Sequence, residues 1–157
     1  MQAKRWPQER YAELGKQLLA DFPSLAFAIF GSAEESPVCE ALRAQWGPRS
    51  FNLSGKLSIW ESAAALRRCA MYLGNDTGTM HLAALVGLPC VAIFSARSAP
   101  GAWDPHGEGH VVLRSQVPCE GCGLEECVEM KQLCLTQITV EEARRATRRV
   151  LSRLGAS

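Results

Sequence analysis

The six consecutive apolar residues Leu25-Ala-Phe-Ala-Ile-Phe30 constrain the fold of this chain more than any other feature. An apolar run of that length suits a β-strand covered on both faces, which is the situation inside a parallel sheet. Cys90 to Phe94 repeats the pattern. Such a sheet needs helices above and below it, and helical patterns stand between the runs. Pro7 to Asp21 reads as a helix, with proline in its first turn and Tyr11, Leu14, Leu18 and Leu19 along one side. A second helix is expected around Val38 to Trp46 and a short strand at Ser50 to Leu53. Ser58-Ile-Trp-Glu61 has capping-box spacing and opens a helix through about Cys69. Met71 to Gly74 is an expected strand, Thr79 to Val86 a helix, His110 to Leu113 the last strand and Thr139 to Leu154 a closing helix. This alternation argues a Rossmann-like parallel α/β sheet with right-handed crossovers, whose ligands sit at the carboxyl ends of the strands.

At 157 residues the chain fits one domain. Its 17 Lys and Arg stand against 16 Asp and Glu, so no global field attracts nucleic acid, and any anion site must be local. No apolar run approaches the roughly 20 residues of a membrane helix, and MQAKRWPQER lacks the apolar stretch of a secretory signal. Seven cysteines, an odd number, read as cytosolic thiols or metal ligands rather than as a secreted disulfide framework. A soluble protein of a reducing, cytoplasmic compartment is the expectation.

The corner Gly74-Asn-Asp-Thr-Gly-Thr-Met-His81 stands between an expected strand and an expected helix. A helix N-terminus offers unpaired amides and the positive end of its dipole, and glycine lets a phosphate approach that backbone. His81, in the first turn, can donate to a phosphate oxygen. A carboxylate would repel phosphate, so Asp76 reads as a helix cap or as acceptor for sugar hydroxyls or a nearby lysine ammonium. The plain alternative is equally open: Asp76 as N-cap, Gly78 as a turn and His81 as a surface histidine.

KRWP at Lys4 to Pro7, FGSAEE at Phe30 to Glu35, LSGKLSIWESAAAL at Leu53 to Leu66, GNDTGTMHLAALVGLP at Gly74 to Pro89 and WDPHG at Trp103 to Gly107 together resemble the C-terminal half of glycosyltransferase family 9. These are the ADP-heptose:lipopolysaccharide heptosyltransferases and their relatives. The resemblance implies the donor-binding lobe of a two-lobed GT-B enzyme, with nucleotide-sugar as ligand and a lipopolysaccharide-type acceptor held by an N-terminal lobe. On it Lys4 meets the donor pyrophosphate, Glu35 and Leu57 line the nucleoside, and Asp76, Thr77, Gly78 and His81 hold the phosphates and the sugar. Lys4, Asp76 and His81 are the implied catalytic groups of an inverting, metal-independent transfer that needs no cofactor. The catalytic base belongs to the absent lobe.

The family pattern places a strand and a small-residue phosphate loop before the KRWP helix, and this sequence starts at that helix. In a doubly wound half such a strand is central, so the sheet is expected to carry a gap or an unpaired inner edge. A truncated or split portion of a longer enzyme is therefore expected, which by itself binds donor weakly and transfers nothing. The alternatives are a non-catalytic nucleotide-binding module that pairs with a separately encoded acceptor lobe, and a different α/β enzyme acting on phosphorylated ligands. Trp103 to Gly107 fits a lid or a sugar-facing wall, and packing at a turn is equally open for the Trp.

Cys119, Cys122, Cys127 and Cys134 have two, four and six residues between them, which leaves zinc, reduced thiols and a conditional disulfide open. Cys39, Cys69 and Cys90 sit in apolar patterns and read as core. On the closing helix Val140, Ala143, Thr147, Val150, Leu151 and Leu154 form an inward stripe, while Arg144, Arg145, Arg148, Arg149 and Arg153 make a basic outer side. That side is either solvated or drawn to anionic headgroups at the inner face of the cytoplasmic membrane.

Overall fold

The computed structural model describes residues 1–155. A 3-10 turn at Gln2–Lys4 leads into α1 (Gln8–Asp21) and β1 (Phe27–Ile29). There follow α2 (Ser36–Trp46), β2 (Ser50–Asn52), α3 (Ile59–Leu66) and β3 (Tyr72–Asn75). The chain then continues through α4 (Gly78–Leu85), β4 (Cys90–Phe94), β5 (Val111–Arg114), the short α5 (Leu133–Thr136) and α6 (Val140–Arg153). Every pairing among these strands is parallel.

The strands form two sheets rather than one. β1 pairs with β2, and β3, β4 and β5 pair in that order, with no ladder joining β1 to β3. The central strand β4 is buried along its whole length. Because its side chains alternate, Val91 and Ile93 enter the layer made with α1 and α6, while Cys90, Ala92 and Phe94 enter the layer made with α3 and α4. Cross-sheet packing holds the halves together: Phe27 and Leu73 rest on the cluster built from Trp6, Leu14, Leu18, Ile93 and Leu151. On the other face Phe30 and Tyr72 rest on the cluster of Leu66, Ala83, Ala84, Leu88 and Cys90. α1 bridges the seam, touching α2 on one side and α6 on the other.

Two expectations are corrected here. Leu25–Phe30 is not a strand covered on both faces: only Phe27–Ile29 are strand, Ala26 and Ala28 are exposed, and the rest are half-buried. The physical reason is that none of the buried apolar clusters covers Ala26 and Ala28 on the face where they stand. The helix of the corner starts at Gly78 rather than Thr79, and its N-cap is Thr77, whose side chain makes no capping bond. Asp76 is thus not the N-cap.

Candidate functional site

The parallel arrangement brings the loops after β1, β2, β3 and β4 to one edge. Gly55, at φ +67°, lets the loop after β2 lie against the loop after β1: a Cβ there would stand 2.6 Å from Ala33 Cα. Gly55 N donates to Gly31 O at 3.0 Å, so the loops bearing Glu35 and Leu57 are neighbours. Leu57 is half-buried and joins none of the buried apolar clusters, which separates it from the core.

Asp76 follows β3 directly and is 5 % exposed. Lys4 Nζ donates to its Oδ2 at 2.5 Å, and His81 Nε2, from the first turn of α4, lies 3.7 Å from its Oδ1. The carboxylate therefore receives a lysine ammonium, one of the three roles expected of it. The side chain of Lys4 is 22 % exposed and that of His81 37 %, so both groups reach the surface beside the opening amides of α4. The Trp103 and His81 rings stand in a T-shaped arrangement with centroids 6.3 Å apart, while Trp103 itself remains exposed. Trp103 thus stands beside His81 at the surface.

Glu35 lies on the same edge, with both carboxylate oxygens engaged. Oε1 accepts from Arg5 Nη2 at 3.1 Å and Oε2 accepts from Ser32 N at 3.0 Å. Arg5 and Lys4 are adjacent, so one short segment carries a cation to the loop after β1 and another to the corner after β3. Thr77 Oγ1 is 3.4 Å from the hydroxyl of Tyr72, and that hydroxyl donates to Asn75 O at 3.1 Å. Burial pushes the Tyr72 phenol far up, so it stays a neutral donor.

What fixes Lys4 is largely absent from the sequence reading. Asn75 Oδ1 accepts from Trp6 N at 3.1 Å and from the Tyr11 hydroxyl at 2.9 Å, tying the start of α1 to the end of β3. Trp6 Nε1 donates to Ile138 O at 3.0 Å. The cysteine-bearing loop grips the turn from the other side: Ala3 N donates to Glu125 O at 2.9 Å, and Gln132 Nε2 donates to Gln2 O at 2.7 Å. Only the polar Asn within Gly-Asn-Asp could have signalled this tether. Cys119, Cys122, Cys127 and Cys134 are free thiols. Among the described residues no three His, Cys, Asp or Glu side chains converge to hold a metal ion, so the zinc alternative has no preformed site.

His106 contributes its carbonyl, 3.0 Å from His110 Nε2, and His110 Nδ1 accepts from Cys90 N at 3.1 Å. Neither imidazole reaches the corner through these bonds. The assembled edge thus offers a part-buried ammonium, an imidazole, a helix N-terminus and a carboxylate whose charge Lys4 offsets. Chemically it suits an anion flanked by hydroxyl-bearing groups.

The sequence profile of Glycosyltransferase family 9 (heptosyltransferase) matches residues 1–133. Lipooligosaccharide heptosyltransferase 2 of Haemophilus influenzae is 38% identical over 116 residues, covering 71% of this chain and 33% of that protein. Lipopolysaccharide heptosyltransferase 2 of Escherichia coli is 33% identical over 71% of this chain and 32% of its own length. The chain therefore spans about a third of the length of these curated relatives. Among solved structures, E. coli ADP-heptose lps heptosyltransferase II superposes with a TM-score of 0.78 at 25% identity, over 98% of this chain and 44% of that one.

Proposed function

The chain belongs to glycosyltransferase family 9, and from that premise we propose that it forms the nucleotide-sugar-binding lobe of an inverting, metal-independent heptosyltransferase. The donor is ADP-heptose or a close relative, and the acceptor a lipopolysaccharide core held by another lobe. One observation carries the reading: Lys4, Asp76 and His81 converge at the N-terminus of α4, on the strand edge where α/β sheets bind ligands. In this reading the diphosphate sits on the amides that open α4, with Gly78 leaving the approach clear of a side chain. Lys4 and His81 stabilise the negative charge that grows on the departing diphosphate. Asp76 holds Lys4 in place and accepts from sugar hydroxyls, Thr77 shapes the turn, and Glu35 and Leu57 border the nucleoside.

Because Asp76 spends part of the charge of Lys4, the site favours a ligand that also engages the helix amides. Free phosphate then binds more weakly than ADP, which adds the nucleoside contacts. The test is an amide-resolved NMR titration of the full chain with ADP, adenosine and inorganic phosphate. ADP is expected to shift Gly78 to His81, with Lys4→Met weakening the response about tenfold, equivalent to about 1.4 kcal/mol. Shifts confined to residues away from this corner, or a Lys4→Met response equal to the parent's, would overturn the reading.

For the cellular setting we propose the cytoplasmic side of the membrane. Among the described residues no helix is long and apolar enough to cross a bilayer. Arg144 and Arg148 are engaged by Asp21, at 2.7 and 3.7 Å, which leaves exposed Arg145, Arg149 and Arg153 on the outer side of α6 for anionic headgroups.

A further inference from the structure

The cysteine loop ends in a strained turn that touches the segment bearing Lys4. Lys131, at φ +44°, and Gln132, at φ +55°, are both left-handed, a conformation that side-chain-bearing residues keep only where their surroundings hold them. Gln132 N donates to Cys127 Sγ at 3.4 Å, and Gln132 Nε2 donates to Gln2 O at 2.7 Å. Gln2 O also accepts from Arg5 N at 3.0 Å, the bond that closes the 3-10 turn over Lys4. Cys127 grips the same residue from its other end, its N–H donating to Gln2 Oε1 at 3.3 Å. Cys127 is therefore the node of a clamp. Its amide holds the Gln2 side chain, and its sulfur holds the residue that holds the Gln2 carbonyl.

The other three thiols of the loop differ in how firmly they are placed. Cys119 and Cys122 lie on either side of Gly121, in a stretch pinned to the loop after β4. Gly121 N donates to Ala96 O at 2.7 Å and Gly123 N to Arg97 O at 2.9 Å. The Arg97 guanidinium donates back to Gly123 O at 2.6 Å and to Leu124 O at 2.8 Å. Cys127 lies beyond the last of these bonds, on the side of the strained turn. Cys134 follows that turn in α5, half-buried against the cluster that contains Trp6 and Leu135. Burial raises its thiol above the ordinary range, and the fields of Cys119, Cys127 and Cys122 add to the rise, so the other three sulfurs lie near it.

We propose that Cys127 and Cys134 are a dithiol that a small disulfide such as oxidised glutathione converts to a protein disulfide, and that this link loosens the turn bearing Lys4. The half-exposed Cys127, as thiolate, attacks one sulfur of the small disulfide, so that a mixed disulfide forms and one small thiolate departs. Cys134 gives its proton to solvent, attacks the Cys127 sulfur and displaces the second small thiolate. Each departing thiolate takes up a proton, so two protein thiols and one small disulfide become one protein disulfide and two small thiols. To reach Cys134, the Cys127 sulfur leaves Gln132 N. Gln132 then loses a contact that keeps its backbone left-handed, and its side chain loses its hold on Gln2 O. The consequence for donor binding rests on the function proposed above, whereas the thiol chemistry and the clamp do not.

Peptide mass mapping and NMR-detected hydrogen–deuterium exchange of the full chain, in reduced and in oxidised glutathione, test this. The oxidised chain is expected to carry a Cys127–Cys134 link, and its Arg5 and Gln132 amides to exchange about tenfold faster than in the reduced chain, with β4 unchanged. Cys134→Ser should stop at the mixed disulfide on Cys127, which identifies the attacking thiol. Cys127→Ser keeps an acceptor for Gln132 N but cannot form the link, so Arg5 and Gln132 should exchange alike in both states. If that variant melts at lower temperature than the parent, the position of the adduct in Cys134→Ser decides instead. A link between another pair, unchanged exchange at Arg5 and Gln132 in the linked chain, or an adduct of Cys134→Ser that spares Cys127 overturns the proposal. Protection of all four thiols by added zinc overturns it too, by making the loop a metal site. These readouts need no ADP, and the ADP titration is run on the reduced chain, so either idea can fail alone. With both correct, the linked chain should bind ADP about tenfold more weakly, because fewer molecules hold Lys4 in place.

Discussion

At the scale of single residues, the Lys4–Asp76 pair governs the corner. Asp76 is buried and Lys4 is its closest cation, so removing the ammonium leaves a carboxylate in a poorly solvated place. Lys4→Met should destabilise the fold by about 2–3 kcal/mol in urea unfolding, and adding Asp76→Asn should restore much of that loss. An additive double mutant would mean that the pair is not coupled. The cysteines sort by environment in the same way. Burial pushes the Cys90 thiol up to about 12 and raises Cys39 as well, whereas Cys122 is exposed. Only the thiolate is alkylated, so at pH 8 iodoacetamide should label Cys122 first and leave Cys39 and Cys90 unmodified until the chain unfolds, as peptide mass mapping would reveal. The motif GNDTGTMH made Asp76 and His81 legible as neighbours of a helix start, because a turn and its helix are local in sequence. Asn75 was not legible as a tether, since its two donors come from Trp6 and Tyr11, 69 and 64 positions away.

Among the elements, the helix starts follow local chemistry. Ser58 with Glu61 and Thr139 with Glu142 both form complete capping boxes, the first expected from its spacing. Contacts between elements do not follow in that way. Gly15 in the middle of α1 looks like a helix weakness. In the folded chain it is the site where α2 closes on α1: a Cβ at Gly15 would stand 2.2 Å from Trp46 Nε1. That indole donates to Ala12 O at 3.1 Å and packs on Phe27 with ring centroids 4.7 Å apart. Gly15→Ala, favourable by helix propensity, should therefore cost about 1–3 kcal/mol through overpacking, measured by denaturant unfolding. A stabilised variant would show that Trp46 swings aside freely. The alternation of elements was readable because the period of apolar residues reports burial on each face. The shortness of β1 was not, because a strand ends where its partner ends.

For the molecule as a whole, charge and topology act together. Arg144 holds the Asp21 carboxyl below its usual range, chiefly by a direct hydrogen bond, and so ties the end of α1 to α6. The hydrogen bond from the Thr139 amide likewise lowers Glu142. A carboxyl whose folded value is depressed contributes fully above its ordinary value of about 4 and loses that contribution as pH falls through the lowered folded value. Melting temperature should thus drop below about pH 4, and Asp21→Asn should be less stable at neutral pH with a shallower acid decline. An unchanged acid slope would remove Asp21 from the account. The sequence by itself determined the class of fold, the capping-box start of α3 and the placing of the Asp76–Gly78 corner between a strand and a helix, because periodicity, capping and turn chemistry act over a few residues. Tertiary structure alone decided that the sheet is divided, that the cysteine loop and Asn75 hold the turn bearing Lys4, and that the apolar run at β1 stands half-exposed. These depend on which distant segments meet, and a strand's burial is set by the neighbour it finds rather than by the residues it carries.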